Sequence, residues 1–219
     1  MQKLSMTKFS GIKNILWDFD GVLMDSMAVR DEGFRAVLQE FPPDQVNQLL
    51  SYHRRNGGLS RYVKFRYFFE TIRQEKASES TLSNLASAFS AIMRERLTNP
   101  DLLITDSINF VKANHQHFRM HIVSGSDQEE LVYLCQRLQL STYFNSIHGS
   151  PTPKRELIAN LLKAHRFTRE ETVMIGDSVN DLEAAEANHI QFLGYNSIQL
   201  KNSGVGYVDS FNNLTVELH

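Results

Sequence analysis

A single cysteine, Cys135, stands in 219 residues, so no disulfide can form within the chain. That excludes a disulfide-stapled secreted scaffold and fits a reducing compartment, the cytoplasm. Cys135 falls with Leu131, Leu134 and Leu138 at helical spacing, which reads as a core position and not a reactive thiol. No apolar run approaches the ~20 residues of a membrane span. The first fourteen residues contain lysines but no continuous apolar stretch of the kind found in a secretory leader. Neither sign of charge dominates: 23 Lys and Arg against 25 Asp and Glu leave a net charge of −2. A broad basic face for nucleic acid or an anionic membrane is therefore not expected. The eight histidines show no metal-ligand spacing, and His148 and His189, near strand regions, read as locally hydrogen-bonded. There is no internal repeat and no low-complexity tract. What remains is ordinary globular composition, 42% hydrophobic and 22% charged, on a chain long enough for one core plus a small accessory domain.

Against that background, residues 18–22 stand out. Asp18-Phe19-Asp20-Gly21-Val22 follows the apolar run Ile15-Leu16-Trp17. A strand that ends in two carboxylates one residue apart starts both on the same side, and the glycine then permits a sharp reversal. Two such acids repel unless a cation lies between them or one is protonated. The pattern points to Mg²⁺ and to chemistry on a phosphate.

Short β-like runs recur at residues 12–18, 120–124, 146–149, 172–176 and 190–194. Helical patterns at 127–138, 153–165 and 180–188 separate the later ones, which predicts a parallel sheet covered on both faces. Functional residues of such sheets collect beyond the carboxyl ends of the strands. Residues 27–98 differ: they predict helices at 27–40, 44–53, 59–74 and 81–97 and no strand. The stripes Leu59, Tyr62, Phe65, Phe69, Ile72 and Leu82, Leu85, Phe89, Ile92, Met93 read as a helix-bundle core. This makes 27–98 a helical insertion, with 1–26 and 99–219 forming the α/β core. The crossings near Ser26 and near Asn99-Pro100 are the expected hinges.

Three further constellations sit at strand ends or helix starts. Ile122-Val123-Ser124-Gly125-Ser126 runs from a strand into a small-residue turn, with a hydroxyl and free amides for a phosphate oxygen. Lys154 opens the helix after Pro153 and supplies a point charge. Ile175-Gly176-Asp177-Ser178-Val179-Asn180-Asp181 is a second strand ending in acids. Taken singly, each has a plain structural reading: a helix cap, a surface lysine, an acid favoured by the helix dipole. In this order and at these places they are specific.

With these residues the chain resembles the haloacid dehalogenase superfamily of phosphohydrolases. Asp18-Phe19-Asp20-Gly21-Val22 matches its first motif, Ser124 its second, Lys154 its third, and Gly176-Asp177 with Asp181 its fourth. Leu23-Met24-Asp25-Ser26 and the place of the insertion resemble the subgroup of phosphoglycolate phosphatase and β-phosphoglucomutase. The resemblance implies a Rossmann-like parallel sheet with a helical cap domain inserted after the first strand. It implies Asp18 as nucleophile, forming an aspartyl-phosphate, and Asp20 as general acid and base. Mg²⁺ would be held by Asp18, the Asp20 carbonyl and Asp177. Ser124, Gly125 and Lys154 would bind the phosphoryl oxygens, with Gly21, Ser178 and Asp181 in support. Asp181 would orient either Lys154 or a metal-bound water. Ser124-Gly125-Ser126 departs from the Thr or Ser followed by Asn of many relatives, which bears on a substrate contact.

The implied function is hydrolysis of a small phosphomonoester, a phosphosugar or a phosphoglycolate-like metabolite, by a monomer or weak dimer. A phosphosugar mutase of the β-phosphoglucomutase type shares all four motifs, and an inactive interaction protein on the same fold stays open beside it. A Schiff-base phosphonate hydrolase would need a cap lysine, for which Lys64 and Lys76 are available. A signalling receiver domain is disfavoured, because its phosphoacceptor follows an earlier acidic pair in mid-chain. Asn56-Gly57-Gly58 is the candidate cap loop dipping toward the phosphate. Arg54, Arg55 and Arg61 are the candidates for a second anionic group of the substrate, or else surface charges.

Overall fold

The structure, a computed structural model, describes residues 9–212 and Leu214. Residues 1–8, on which the reading of the chain's start partly rests, lie outside the described residues, as does most of 213–219.

The apolar run before the acidic pair is strand β1 (Asn14–Trp17), buried at all four positions. It pairs in parallel with β2 (Arg119–Asp127) on one side and β4 (Thr172–Gly176) on the other. With β3 (Ser146–Ser150), β5 (Gln191–Tyr195) and β6 (Tyr207–Val208) it forms a six-stranded sheet of order β3-β2-β1-β4-β5-β6, parallel throughout. A central strand must hide both faces, and the two-residue period of β1 does so. Ile15 and Trp17 enter one apolar cluster and Leu16 the other. Val173 and Ile175 against Met174 repeat the division in β4.

Helices α7 (Lys154–His165) and α8 (Val179–Ala187) close the smaller cluster with Leu157, Ile158, Leu161, Ala184 and Ala185. The larger cluster takes Ile108, Phe110 and Val111 from α5 (Thr105–Asn114) and Leu131, Leu134 and Cys135 from α6 (Gln128–Arg137). Burial pushes the Cys135 thiol up to about 12, so it is a packing residue. His148 meets the Ser146 hydroxyl, the local hydrogen bond expected of it.

Between β1 and α5 the described residues form helices and no strand, the main ones being α1 (Met27–Val37), α2 (Pro43–Arg55), α3 (Arg61–Tyr67) and α4 (Glu79–Arg96). The helix expected over 59–74 begins later, because Asn56 to Ser60 form a loop and Ser60 caps α3 by accepting from the Val63 amide. It then widens into a π-helical turn, Phe68–Arg73, which buries Phe68 and Phe69 together. Phe34, Phe65 and Phe89 from three of these helices belong to the same cluster as Trp17 and Phe110. The two chain crossings lie side by side: the Asp25 amide donates to the Leu102 carbonyl at 2.8 Å and the Ile104 amide to Leu23 at 3.0 Å. Helix α5, the short α9 (Ile198–Lys201) and β6 come without a sequence expectation. The last two span four and two residues, too short for any periodicity to register.

Candidate active site

The strand order reverses between β1 and β4, and the carboxyl ends of these two neighbours bring Asp18 and Asp177 together. Asp181, one turn into α8, completes a cluster in which one carboxylate oxygen from each residue lies within 4.8 Å of the others. Local geometry requires glycine twice here. Gly21 has φ +78°, and a Cβ there would sit 2.0 Å from Asp177 Oδ2; a Cβ on Gly176 would sit 2.4 Å from Asp181 Cβ. Both carboxylates thus lie directly against backbone.

Lys154, buried at the start of α7, places Nζ 2.9 Å from Asp18 Oδ1 and also hydrogen-bonds Asp181 Oδ1. The other Asp181 oxygen accepts from the Ser178 amide at 3.1 Å and hydroxyl at 2.8 Å, and Ser178 in turn caps α8. Asp181 thus touches Lys154 directly while one of its oxygens also lies in the acidic cluster. Burial pushes the Asp18 carboxyl up to about 7, and the Asp181 charge adds to this against the pull of Lys154. Burial and the neighbouring Asp18 and Asp181 charges also raise Asp177. Lys154 moves up as well, because Asp18 and Asp181 outweigh the cost of its burial. Three carboxylates against one ammonium leave negative charge that a hard divalent cation fits, with Asp18 and Asp177 the available oxygen donors.

Asp20 is held apart from this cluster. Its Oδ1 accepts from Arg30 Nε at 2.8 Å and the Ser26 hydroxyl at 2.5 Å, and its Oδ2 from the Ser126 hydroxyl at 2.6 Å. Burial alone would raise Asp20, but the Arg30 guanidinium and the two hydroxyls bring it down to about 2. Arg30 also donates to Ser126 at 2.7 Å and to Glu130 at 3.2 Å.

Ser124 differs from its expected setting. Strand β2 runs on to Asp127 with a register shift against β3 after Val123, and α6 begins only at Gln128, capped by Asp127. The Ser124 hydroxyl therefore sits on an irregular strand end, accepting from the Ser126 amide at 3.1 Å, and not at a helix start. Gly125 beside it meets the cap: a Cβ there would lie 2.3 Å from the Gly58 carbonyl oxygen. A Cβ on Gly58 would reach Ser178 Oγ at 3.0 Å and Asp181 Oδ1 at 3.2 Å. The Asn56-Gly57-Gly58 loop is thus wedged between the second and fourth constellations. Beneath it lies a cavity of about 30 Å³ lined by Asp20, Arg30, Arg61, Lys64, Gly125 and Asp177 among others.

Of the three cap arginines only Arg61 lines this cavity. Arg54 pairs with Asp31 at 2.5 Å, and Arg55 donates to the Ser51 carbonyl, so neither side chain faces the site. Lys64 is buried in the cavity wall, whereas Lys76 is exposed. Arg30 and Glu130 have no counterpart in the sequence reading, and Ser26, expected only as part of the crossing, proves to be a partner of Asp20. Arg30 looks like a helix-surface cation and Glu130 like an acid favoured in a first turn; their pairing spans 100 residues and leaves no local signal.

The haloacid dehalogenase-like hydrolase family model matches residues 15–195. The chain belongs to this family. It is a hydrolase with the family's α/β sheet. A phosphorylated carbohydrates phosphatase of Thermotoga maritima is 23% identical over 207 residues, covering 90% of each chain. A phosphoglycolate phosphatase of Photobacterium profundum is 28% identical over 198 residues, covering 86% of this chain and 85% of the relative. Among solved structures, β-phosphoglucomutase of Clostridium difficile superposes with a TM-score of 0.73 at 15% identity, covering 93% of each chain. That likeness establishes the shared fold. Among the described residues of this haloacid dehalogenase-like hydrolase, no helix is long and apolar enough to cross a membrane.

Proposed function

We propose that this hydrolase is a Mg²⁺-dependent phosphatase that cleaves a small phosphomonoester through an aspartyl-phosphate on Asp18. The observation that carries this reading is the Asp18, Asp177, Asp181 and Lys154 cluster at the ends of β1 and β4. Asp18, Asp177 and the Asp20 carbonyl would hold the metal, which when bound neutralises charge on the nucleophile and the phosphoryl oxygens. An Asp18 oxygen bonds to phosphorus as the ester P–O bond breaks, and Lys154 with Ser124 and Gly125 holds the phosphoryl oxygens. Asp20 gives its proton to the leaving alkoxide, then takes one from the water that cleaves the aspartyl-phosphate. To act as an acid, Asp20 must first leave Arg30, which holds it ionised. The incoming phosphate dianion and the covered site favour its protonation. Asp181 keeps Lys154 aimed, and the Gly57-Gly58 loop keeps bulk water out. The relatives named as phosphatases of phosphorylated carbohydrates and of phosphoglycolate support the choice of substrate class.

The test is hydrolysis of p-nitrophenyl phosphate and of an alkyl phosphate. Activity is expected with Mg²⁺, and its loss on chelation. Asp18→Asn should abolish turnover. Asp20→Asn should lose ~10²–10⁴-fold on the alkyl ester and less on p-nitrophenyl phosphate, whose leaving group hardly needs a proton. Absence of Mg²⁺-dependent phosphate release from both substrates would overturn the reading.

A further inference from the structure

Glu130 is fully buried at the first turn of α6, and it is the point where the core meets two cap guanidiniums. Its Oε2 accepts from Arg61 Nη1 at 2.6 Å and its Oε1 from Arg30 Nη1 at 3.2 Å. Arg30 is matched a second time by Asp20. Asp20 and Glu130 together match the two guanidiniums that line the cavity, and Glu130 is the one that stays with them when Asp20 turns to the leaving group. All four groups are held in a dry interface, where an unmatched charge is costly.

Hydrogen-bonding capacity in the same wall is left over. Arg61 Nη2 is buried without a partner, although the guanidinium lies over the Phe89 ring at 4.7 Å. Lys64, the third cation of this wall, has its pKa lowered to about 7 by burial and the nearby Arg30, and its Nζ has a single acceptor, the Gly57 carbonyl at 3.3 Å. Neither ring nitrogen of His53, which also lines the cavity, makes a hydrogen bond, Nε2 standing 4.0 Å from Asp31 Oδ1, and burial with the charges of Lys64 and Arg30 keeps that ring neutral. The aromatic faces of Phe34 and Phe89 complete the wall. Spare donors, balanced charge and aromatic surface suit a group rich in neutral oxygen acceptors with C–H faces.

We propose that Glu130 is a specificity-determining residue: by neutralising Arg30 and Arg61 it selects phosphomonoesters whose leaving alcohol is uncharged and hydroxylated, and disfavours those with a second anionic group. The inference rests on the phosphatase reading above and narrows its substrate class. A second phosphate or a carboxylate at this wall would meet guanidiniums already paired with Glu130, which lies behind them, and like charges brought close in a desolvated interface are disfavoured. A hydroxyl meets no such penalty and accepts from Arg61 and Lys64. The charge of the transferred phosphoryl group is handled elsewhere, by Lys154 in its cluster with Asp18 and Asp181.

The experiment compares matched substrates on the full-length protein with Mg²⁺: glycerol 3-phosphate against 3-phosphoglycerate, and fructose 6-phosphate against fructose 1,6-bisphosphate. The wild type should have the higher kcat/KM for the neutral member of each pair. Glu130→Gln, which keeps an acceptor and removes the charge, should shift the ratio within each pair toward the anionic member by about tenfold or more. A general loss of activity or stability leaves that ratio unmoved, so a structural role alone cannot mimic the result. If Glu130→Gln does not fold, the wild-type ratios decide by themselves. A wild-type preference for the anionic members overturns the proposal. So does an unchanged ratio in Glu130→Gln, or no turnover of either neutral member while p-nitrophenyl phosphate is cleaved. Failure to cleave p-nitrophenyl phosphate as well marks the phosphatase reading as the part at fault.

Discussion

At the scale of single residues, the least ordinary group is Lys64. A buried ammonium is favourable only with partners, and this one has a single backbone carbonyl. Burial, with the nearby Arg30 charge, lowers its pKa from 10.5 to about 7 against the opposing pull of Asp20. In the unfolded chain the amine keeps its proton to ~10.4. Between about pH 7 and 10 the unfolded state therefore binds more protons, and this group's contribution to stability rises with pH. Below pH 7 both states are charged and the cost of burying the charge is felt in full. Lys64→Met should accordingly raise the melting temperature at pH 6, by at least the ~2–4 °C that 1 kcal/mol is worth in a chain of this size. The gain should shrink steadily in melts at pH 8 and 9.5. A difference that does not change with pH would show that the ammonium is not what destabilises this position.

At the scale of elements, the decisive contact is between the loop that precedes α3 and the end of β2. Gly58 and Gly125 pack backbone to backbone because neither has a side chain, and the loop reaches Ser178 and Asp181 by the same means. Gly125→Ala would place a methyl group 2.3 Å from the Gly58 carbonyl, with backbone on both sides and no flexible side chain to yield. The Asn56-Gly57-Gly58 loop would then be pushed off the end of β2, while the helices and the sheet keep their secondary structure. We expect unchanged circular dichroism with a fall of ~10²-fold in kcat/KM for an alkyl phosphate, the scale on which small misplacements of a catalytic array are felt. Wild-type kinetics in Gly125→Ala would mean that this contact has no part in assembling the site.

At the scale of the whole molecule, the inserted helices α1 to α4 are not an independent lobe in their packing. Phe34, Phe65 and Phe89 belong to the same buried cluster as Trp17, Phe110 and Phe118. The two crossings are tied to each other by backbone hydrogen bonds, so the insertion leaves and re-enters the core at one place. Urea unfolding should therefore be a single transition. Fluorescence of Trp17, the sole tryptophan, reports the core, and far-UV circular dichroism is weighted toward the helices. The two midpoints should coincide. A helical transition that precedes the Trp17 signal would reveal a cap that unfolds separately, and the shared cluster would then contribute little cooperativity.

The sequence by itself determined a parallel sheet with five of its six strands, the helical insertion after the first strand and most of the Asp18–Asp177–Lys154 cluster. The reason is that these are local signals. Asp18, Asp177 and Lys154 each stand at the end of a periodic segment, and parallel strand order then brings such ends together. Gly21 and Gly176 are likewise written next to the acids that need them. Tertiary structure alone decided what occupies those groups and which cap residues face them. Arg54, Arg55 and Arg61 are indistinguishable as sequence, yet the direction in which α2 and α3 pack sends only Arg61 to the cavity. The irregular end of β2, which removes Ser124 from a helix start, follows from a register shift against β3 that no pattern in β2 announces. Glu130 and Arg30 are a hundred residues apart and unremarked in their own helices. Their charges acquire a meaning only where the cap closes on the core and excludes the water that would otherwise screen them.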